Sequence, residues 1–249
     1  ITYSRFWDWE QYKPRFSNSW DEYRNSIWHR VGYVNWGYEA IGRFDSWEQI
    51  ANYPVDNDRK GNRTVVPGDI MYKDQNNDGV INYLDERPIG YRVDSTPTLN
   101  FGINLSASWK GFDLAMDWTG SGMTSWNQCY ETARPFQNDG NSPDEVLKDA
   151  WHLSDIWDAN SPLIPGKYPM VRLNTDETSA YDKSSYWLHN VTYLKLRNLE
   201  VGYTFPKTWL NRTGISNLRL FVSGTNLLTL SNLSVMDPEC ASDNGLDYP

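Results

Sequence analysis

From Thr98 to Trp109 the chain alternates without a break. Leu99, Phe101, Ile103, Leu105, Ala107 and Trp109 fall on one parity, and Thr98, Asn100, Gly102, Asn104, Ser106 and Ser108 on the other. Period two over that length specifies a β-strand with one wholly apolar face and one small, polar face. A half-buried strand of a water-soluble domain is usually about five or six residues long, whereas a tilted membrane-spanning strand needs roughly nine to eleven. The feature therefore points to an all-β chain whose strands meet lipid on one side.

Neighbouring patterns extend this reading. After Lys110-Gly111 the alternation restarts in mirrored phase, with Phe112, Leu114, Met116 and Trp118 apolar, so a two-residue hairpin turn sets Trp109 opposite Phe112. Such an aromatic pair fits the interfacial girdle of a membrane barrel and fits a soluble hairpin equally well. Leu199, Val201, Tyr203 and Phe205 alternate with Asn198, Glu200, Gly202 and Thr204, and Leu218, Leu220 and Val222 form a further strand whose polar parity is broken by Phe221. Leu194 and Leu196 lie in the opposite phase from Leu199, which requires a bulge near Arg197 and Asn198. Pro206 ends that strand and Asn211-Arg212-Thr213-Gly214 supplies a turn. Strands are expected near 98–109, 112–119, 187–205 and 218–230, with long loops near 8–97 and 120–186. Short turns at one end and long loops at the other describe an outer-membrane barrel. Ser142-Pro143-Asp144-Glu145 ahead of Val146 to Trp151 predicts a capped short helix, and Ser46 ahead of Trp47 to Ile50 a second.

Composition closes off other classes. No run of about 18 apolar residues is present, so no spanning helix is expected, and aromatics at 15 % of 249 residues argue against disorder. A net charge of −9 disfavours nucleic acid as a partner. Cys129 and Cys240 are too few for a disulfide scaffold and lack metal or redox spacing, and whether they pair is left open. His29, His152 and His189 are isolated, and no spacing selects a pair of carboxylates, so the chain is not read as an enzyme and no catalytic residue is assigned. Trp7, Trp9, Tyr12, Trp20, Tyr23, Trp28, Tyr33, Trp36 and Tyr38 crowd the first forty positions and suit either ligand stacking or loop cores.

Residues 74–85 read Asp-Gln-Asn-Asn-Asp-Gly-Val-Ile-Asn-Tyr-Leu-Asp. Asp74, Asn76, Asp78, the Val80 carbonyl, Asn82 and Asp85 occupy the oxygen-ligand positions of an EF-hand-type Ca²⁺ loop, with Gly79 at its sharp turn and Ile81 as the apolar anchor. Poor helix sequence on both flanks, and Asp85 where Glu is usual, mark it as a structural Ca²⁺ staple rather than a calcium sensor.

Landmarks along nearly the whole chain resemble the SusC-like (RagA-like) TonB-dependent outer-membrane transporters of Bacteroidota, in the C-terminal part of their β-barrel. They run in the family's order: Trp36-Gly37-Tyr38, Gly42-Arg43-Phe44, Pro67 to Asp74, Asp85 to Gly90, Pro97 to Gly102, Trp109 to Asp113, Tyr193 to Leu199, Gly202 to Lys207, Leu218 to Thr229, Asp237-Pro238-Glu239 and Tyr248-Pro249. The resemblance implies a partial antiparallel transmembrane β-barrel, part of a 22-stranded barrel that encloses an N-terminal plug. It also implies import of glycan or peptide oligomers, a SusD-like lipoprotein lid and energy from the TonB-ExbB-ExbD complex. On that alignment the residues correspond to roughly the last quarter of such a protein, without plug domain, TonB box or final strand. The apolar face of 99–109 would meet outer-membrane lipid, and the Asn/Ser face the lumen or plug. Two other classes compete: a secreted calcium-stabilised β-sandwich that binds carbohydrate, with strands nearer six residues, and a glycoside hydrolase using two of the acidic residues.

Overall fold

The computed structural model describes residues 1–5, 7–8, 15–28, 30–31, 34–91, 97–173, 177–211, 214–234 and 236–239. Cys240, the closing Tyr248-Pro249, and Trp9, Tyr12, His29, Tyr33, Arg212 and Thr213 lie outside that set, as does the Trp7 side chain. The chain divides into two compact units. One comprises Ile1–Arg5, Thr96–Thr124 and Val191–Glu239, the other the stretches Phe6–Ser95 and Ser125–Asn190 together with the C-terminal tail.

A five-stranded antiparallel sheet dominates, in the spatial order β1 (Thr2–Tyr3), β2 (Leu99–Trp109), β3 (Phe112–Asn127), β4 (Leu188–Thr204) and β5 (Arg219–Ser231). The last four strands contain 11, 16, 17 and 13 residues. Those lengths are those of a barrel wall and two to three times what a soluble sandwich uses. Among the described residues these strands form part of a barrel, not a closed one.

The β2–β3 turn is Lys110-Gly111, with φ of +48° and +92°. Two successive positive φ values make the type I′ geometry that follows the twist of the flanking strands, and Gly111 takes its value without a Cβ penalty. Trp109 consequently pairs with Phe112, and the register runs unshifted to Leu99↔Gly122. Every odd residue of β2 thus shares a face with Phe112, Leu114, Met116 and Trp118, and much of that face is open, with Leu105 49 % and Trp109 69 % exposed. Near the turn the rings of Phe112 and Tyr203 lie 4.6 Å apart, Tyr203 and Phe205 5.0 Å, and Phe205 and Trp209 6.2 Å. A row of aromatics at the end of an apolar strand face is an interfacial girdle.

The β4–β5 ladder shifts register between Leu196 and Asn198, opposite Asn226 at φ +52°. This bulge returns Leu194 and Leu196 to the face of Leu199 and Val201, resolving the phase conflict in the sequence. Strand β3 differs from expectation. It continues to Asn127 rather than ending near Thr119, because Ser121, Thr124, Ser125 and Trp126 are all buried and covered residues lose the polar/apolar alternation.

The other unit is a folded body with its own core. Trp187 stacks on Tyr181 at 5.6 Å and on Tyr168 at 6.2 Å, while Tyr38 packs on Tyr72 at 5.3 Å and Ile81 is fully buried beside them. Phe44, Ile50 and Val65 form a second small core. Short two-stranded pairings, Asn35–Gly37 with Arg87–Gly90 and Ala40–Arg43 with Ile70–Tyr72, carry these residues. Buried polar groups tie the segments together. The Asn57 amide donates to the Ile70 carbonyl at 3.0 Å and accepts from Tyr72 N–H at 3.0 Å, and the Tyr72 hydroxyl donates to the Ser179 carbonyl at 2.7 Å. Asp69, wholly buried, is ion-paired with Arg172.

Three helices in this unit test the capping signals. Helix α1 (Ser19–Asn25) is capped by Asn18, whose side chain accepts from Asp21 N–H. In α2 (Trp47–Asn52) Ser46 accepts from Gln49 N–H at 3.2 Å. Helix α3 (Asp144–Lys148) is shorter than expected and has no side-chain cap. Pro143 holds the cap position, and Ser142 Oγ reaches only the Pro143 carbonyl. The helix stops because Asp149 accepts the backbone N–H groups of Tyr168 and Lys167, drawing the chain into a bridge at Ala150 and Tyr168.

Candidate functional site

The polar face of the sheet is charged and internally paired. Arg219 on β5 donates through Nε to Asp113 Oδ1 on β3 at 3.2 Å and through Nη2 to Glu200 Oε1 on β4 at 2.5 Å. To reach Asp113 it lies across Gly202, where a Cβ would sit 2.6 Å from both Arg219 Nη2 and Asp113 Oδ2. Farther along, Lys195 Nζ, with a side chain only 6 % exposed, contacts Asp237 Oδ1 and Glu239 Oε2, each at 2.8 Å. Arg197 pairs with Glu239 and donates to Thr119 Oγ1 at 2.8 Å. A buried ammonium is tolerated only with such partners. The linear sequence could not select these pairs, since they join residues on different strands, or on a strand and the segment after β5, that only the fold brings together.

In the 74–85 loop, Asp74 accepts from Asn77 N–H at 2.6 Å and from Gly79 N–H at 2.8 Å, with Gly79 at φ +83°. Asn76, Asp78, Val80 and Asn82 are joined directly. The Asn76 amide donates to Asp78 Oδ2 at 2.8 Å, Asp78 Oδ1 accepts from Val80 N–H at 2.9 Å, and the Asn82 amide donates to the Val80 carbonyl at 3.2 Å. Asp85, fully buried, accepts from Gln75 N–H at 2.8 Å and Asn82 N–H at 2.9 Å. Ile81 anchors the loop in the core, and Ile81 N–H donates to the Asp56 carbonyl at 2.9 Å. Among the described residues no three His, Cys, Asp or Glu side chains gather as a metal site. The donor set nevertheless suits a hard cation. It is all oxygen, and the Asp74 and Asp85 carboxylate oxygens each keep a lone pair beyond their backbone hydrogen bond, whereas Asp78 Oδ2 accepts from the amides of both Asn76 and Asn82.

The same unit holds an open cleft of ≈ 450 Å³ lined by Arg24, Trp36, Tyr38, Arg59, Glu86, Asp182 and Lys183, among others. Its charges are partnered: Arg24 Nε lies 3.3 Å from Glu86 Oε2, Arg59 is paired with Asp182, and Lys183 donates to Asn35 Oδ1 at 2.8 Å. Burial raises the Asp182 pKa despite the attraction of Arg59, and burial pushes the Tyr38 hydroxyl up to about 12. The Arg24 guanidinium sits 4.5 Å over Trp36, which meets Tyr23 edge-on at 5.2 Å and Trp20 at 6.3 Å. Of the aromatic residues crowding the first forty positions, Trp20, Tyr23 and Trp36 build this arginine-backed cluster, Tyr38 belongs to the core, and Trp28 is exposed. The two described histidines have local roles: His152 Nδ1 lies 2.8 Å from the Ala150 carbonyl, and His189 stacks on Trp126 at 5.6 Å.

No family model matches the chain. The TonB-dependent receptor P3 of Formosa agariphila is 30 % identical over 225 residues, covering 84 % of this chain and 21 % of the receptor. The TonB-dependent receptor P26 of the same organism is 27 % identical over 204 residues, covering 82 % and 19 %. The chain thus spans about a fifth of the length of the curated relatives it matches. Among solved structures, the RagAB peptide transporter superposes with a TM-score of 0.51 at 20 % identity, over 86 % of this chain and 20 % of that one. The RagAB peptide importer in its "open-open" state gives 0.52 at 21 % identity, over 95 % and 23 %.

Long strands, a one-sided apolar face and this fold define a segment of an outer-membrane β-barrel. By sequence the chain belongs with the TonB-dependent receptors, and its fold is similar to that of the RagAB transporters.

Proposed function

We propose that the full-length protein imports glycan or peptide oligomers across the outer membrane, with a SusD-like lipoprotein as lid and the TonB-ExbB-ExbD complex as energy source. The observation that carries this reading is the sheet itself, apolar on the face of Leu99 to Trp109 and ion-paired on the opposite face, in a chain whose relatives are TonB-dependent receptors. The apolar face meets lipid and the charged face the lumen. The unit containing the aromatic cleft supplies outward loops, where Trp36 and the Arg24–Glu86 and Arg59–Asp182 pairs offer a stacking plane and both signs of charge to a polar oligomer. Its role is transport, not catalysis.

Within those loops Asp74, Asn76, Asp78, the Val80 carbonyl, Asn82 and Asp85 hold a structural Ca²⁺. Three carboxylates in twelve residues repel one another, and the cation removes that repulsion.

The test is fractionation of cells expressing the full-length gene, with heat-modifiability on a gel as the sign of a closed barrel and co-purification of a lipoprotein as the sign of the lid. Loss of growth on glycan or peptide oligomers when the gene is deleted identifies the cargo. A soluble, unshifted product would overturn the transporter reading.

A further inference from the structure

We propose that the cleft beside Trp36 selects a carboxylate group of the cargo and that the terminal nitrogens of Arg24 are its docking point. The lining carries three cationic side chains, Arg24, Arg59 and Lys183, against two carboxylates, Glu86 and Asp182. In a chain with a net charge of −9 this is a local reversal of sign, and an anion entering the cleft meets an attractive field.

The contacts of Arg24 hold its guanidinium in place without using its terminal nitrogens. It stands in the last turn of α1, and its Nε donates to Glu86 Oε2 at 3.3 Å. Its guanidinium carbon lies 4.5 Å from the centroid of the Trp36 ring. One hydrogen bond and one ring face thus orient the planar group, while among the described residues no acceptor takes Nη1 or Nη2. These two nitrogens form a fork whose spacing matches the two oxygens of a carboxylate. The side chain is 36 % exposed, so a ligand can reach the fork from solvent.

The neighbouring groups have different roles. Arg59 is paired with Asp182, and Lys183 donates to Asn35 Oδ1 at 2.8 Å, so both add positive field beside the fork. Glu86 is a positioning residue that acts through the Arg24 Nε. A neutral oligomer gains stacking in this cleft, but only a carboxylate also completes the fork. Uronate sugars and the C-terminus of a peptide both supply that group.

The inference rests on reading this unit as the part that meets cargo, and the experiment separates the two. Full-length protein in detergent is titrated by calorimetry with tetragalacturonate and with its methyl ester, and with acetyl-tetraalanine and its C-terminal amide. At least one acid should bind about tenfold more tightly than its neutral counterpart, as charge-assisted hydrogen bonds imply. The pair that shows the preference identifies the source of the carboxylate. Arg24→Gln should abolish the preference, and Arg24→Lys, which keeps the charge without the fork, should lose most of it. Glu86→Gln still accepts from Nε and should retain it. Equal affinity of acid and neutral forms, no binding of either acid, or a preference that survives Arg24→Gln in a heat-modifiable product overturns the assignment, and the parent comparison needs no variant to fold. A heat-modifiable barrel without acid preference leaves the transporter reading standing. An acid preference in a parent protein that is no barrel keeps the carboxylate site and overturns the transporter.

Discussion

Arg219 reaches Asp113 by lying across Gly202, so three strands are joined by one side chain that passes over a residue with none. Gly202→Ala places a methyl where the guanidinium lies and forces Arg219 off Asp113. The temperature at which the folded, fast-migrating form unfolds on a gel should fall by several degrees. Asp113→Asn should then add little to Gly202→Ala, since the pair is already parted. A full additional loss in the double variant would show that Gly202 acts independently of the ion pair.

Asp58 is the electrostatic pin of the 55–64 turn. Burial opposes its charge, but hydrogen bonds from Thr64 N–H and Oγ1, Lys60 N–H and Asn62 N–H outweigh that cost and hold its pKa at about 2. A depressed carboxylate stabilises the fold above its unfolded pKa near 3.9, and that contribution is lost as pH falls toward about 2. Asp58→Asn should cost about 2 kcal/mol at neutral pH. The penalty should shrink below about pH 3, as thermal denaturation at several pH values would show.

Removing Ca²⁺ should loosen the 74–85 loop. Chelation by EDTA is expected to make it sensitive to limited proteolysis, with protection restored by Ca²⁺ but not by Mg²⁺, which demands a smaller octahedral site. Asp78→Ala should be cleaved with or without chelator, and EDTA-independent protection of the parent protein would remove the cation from the account.

Burial pushes the Cys129 thiol up to about 11. Only the thiolate reacts, so maleimide should label it on the order of a hundredfold more slowly at pH 8 than an unperturbed cysteine. Peptide mapping of the labelled protein distinguishes it from Cys240.

What could be read from sequence followed how each residue is surrounded. The 98–109 alternation, the Lys110-Gly111 turn and the bulge at Arg197 were legible because one face of each strand is apolar and the other polar. The end of β3 was not, because Ser121, Ser125 and Trp126 are covered alike and leave no periodic trace. The ordering of the long loops by Asn57 and the Asp69–Arg172 pair was equally hidden. Isolated polar residues become structural only when segments a hundred positions apart meet. The oxygen ligands of the 74–85 loop were readable because their spacing is local, whereas the Arg24–Trp36–Glu86 cleft joins distant stretches and has no linear signature.

The bulge at Arg197 has a consequence for how this wall can evolve. It acts as a frame correction, keeping Leu194 and Leu196 on the lipid parity of Leu199 and Val201. Deleting Arg197 would join Leu194-Lys195-Leu196 to Asn198-Leu199 in unbroken alternation, so the leucines would keep the lipid face and Lys195 the polar one with no bulge needed. Strand β4 should therefore lose a single residue without penalty to its faces only at the bulge and elsewhere change length in steps of two, whereas the loops are free to gain or lose residues singly.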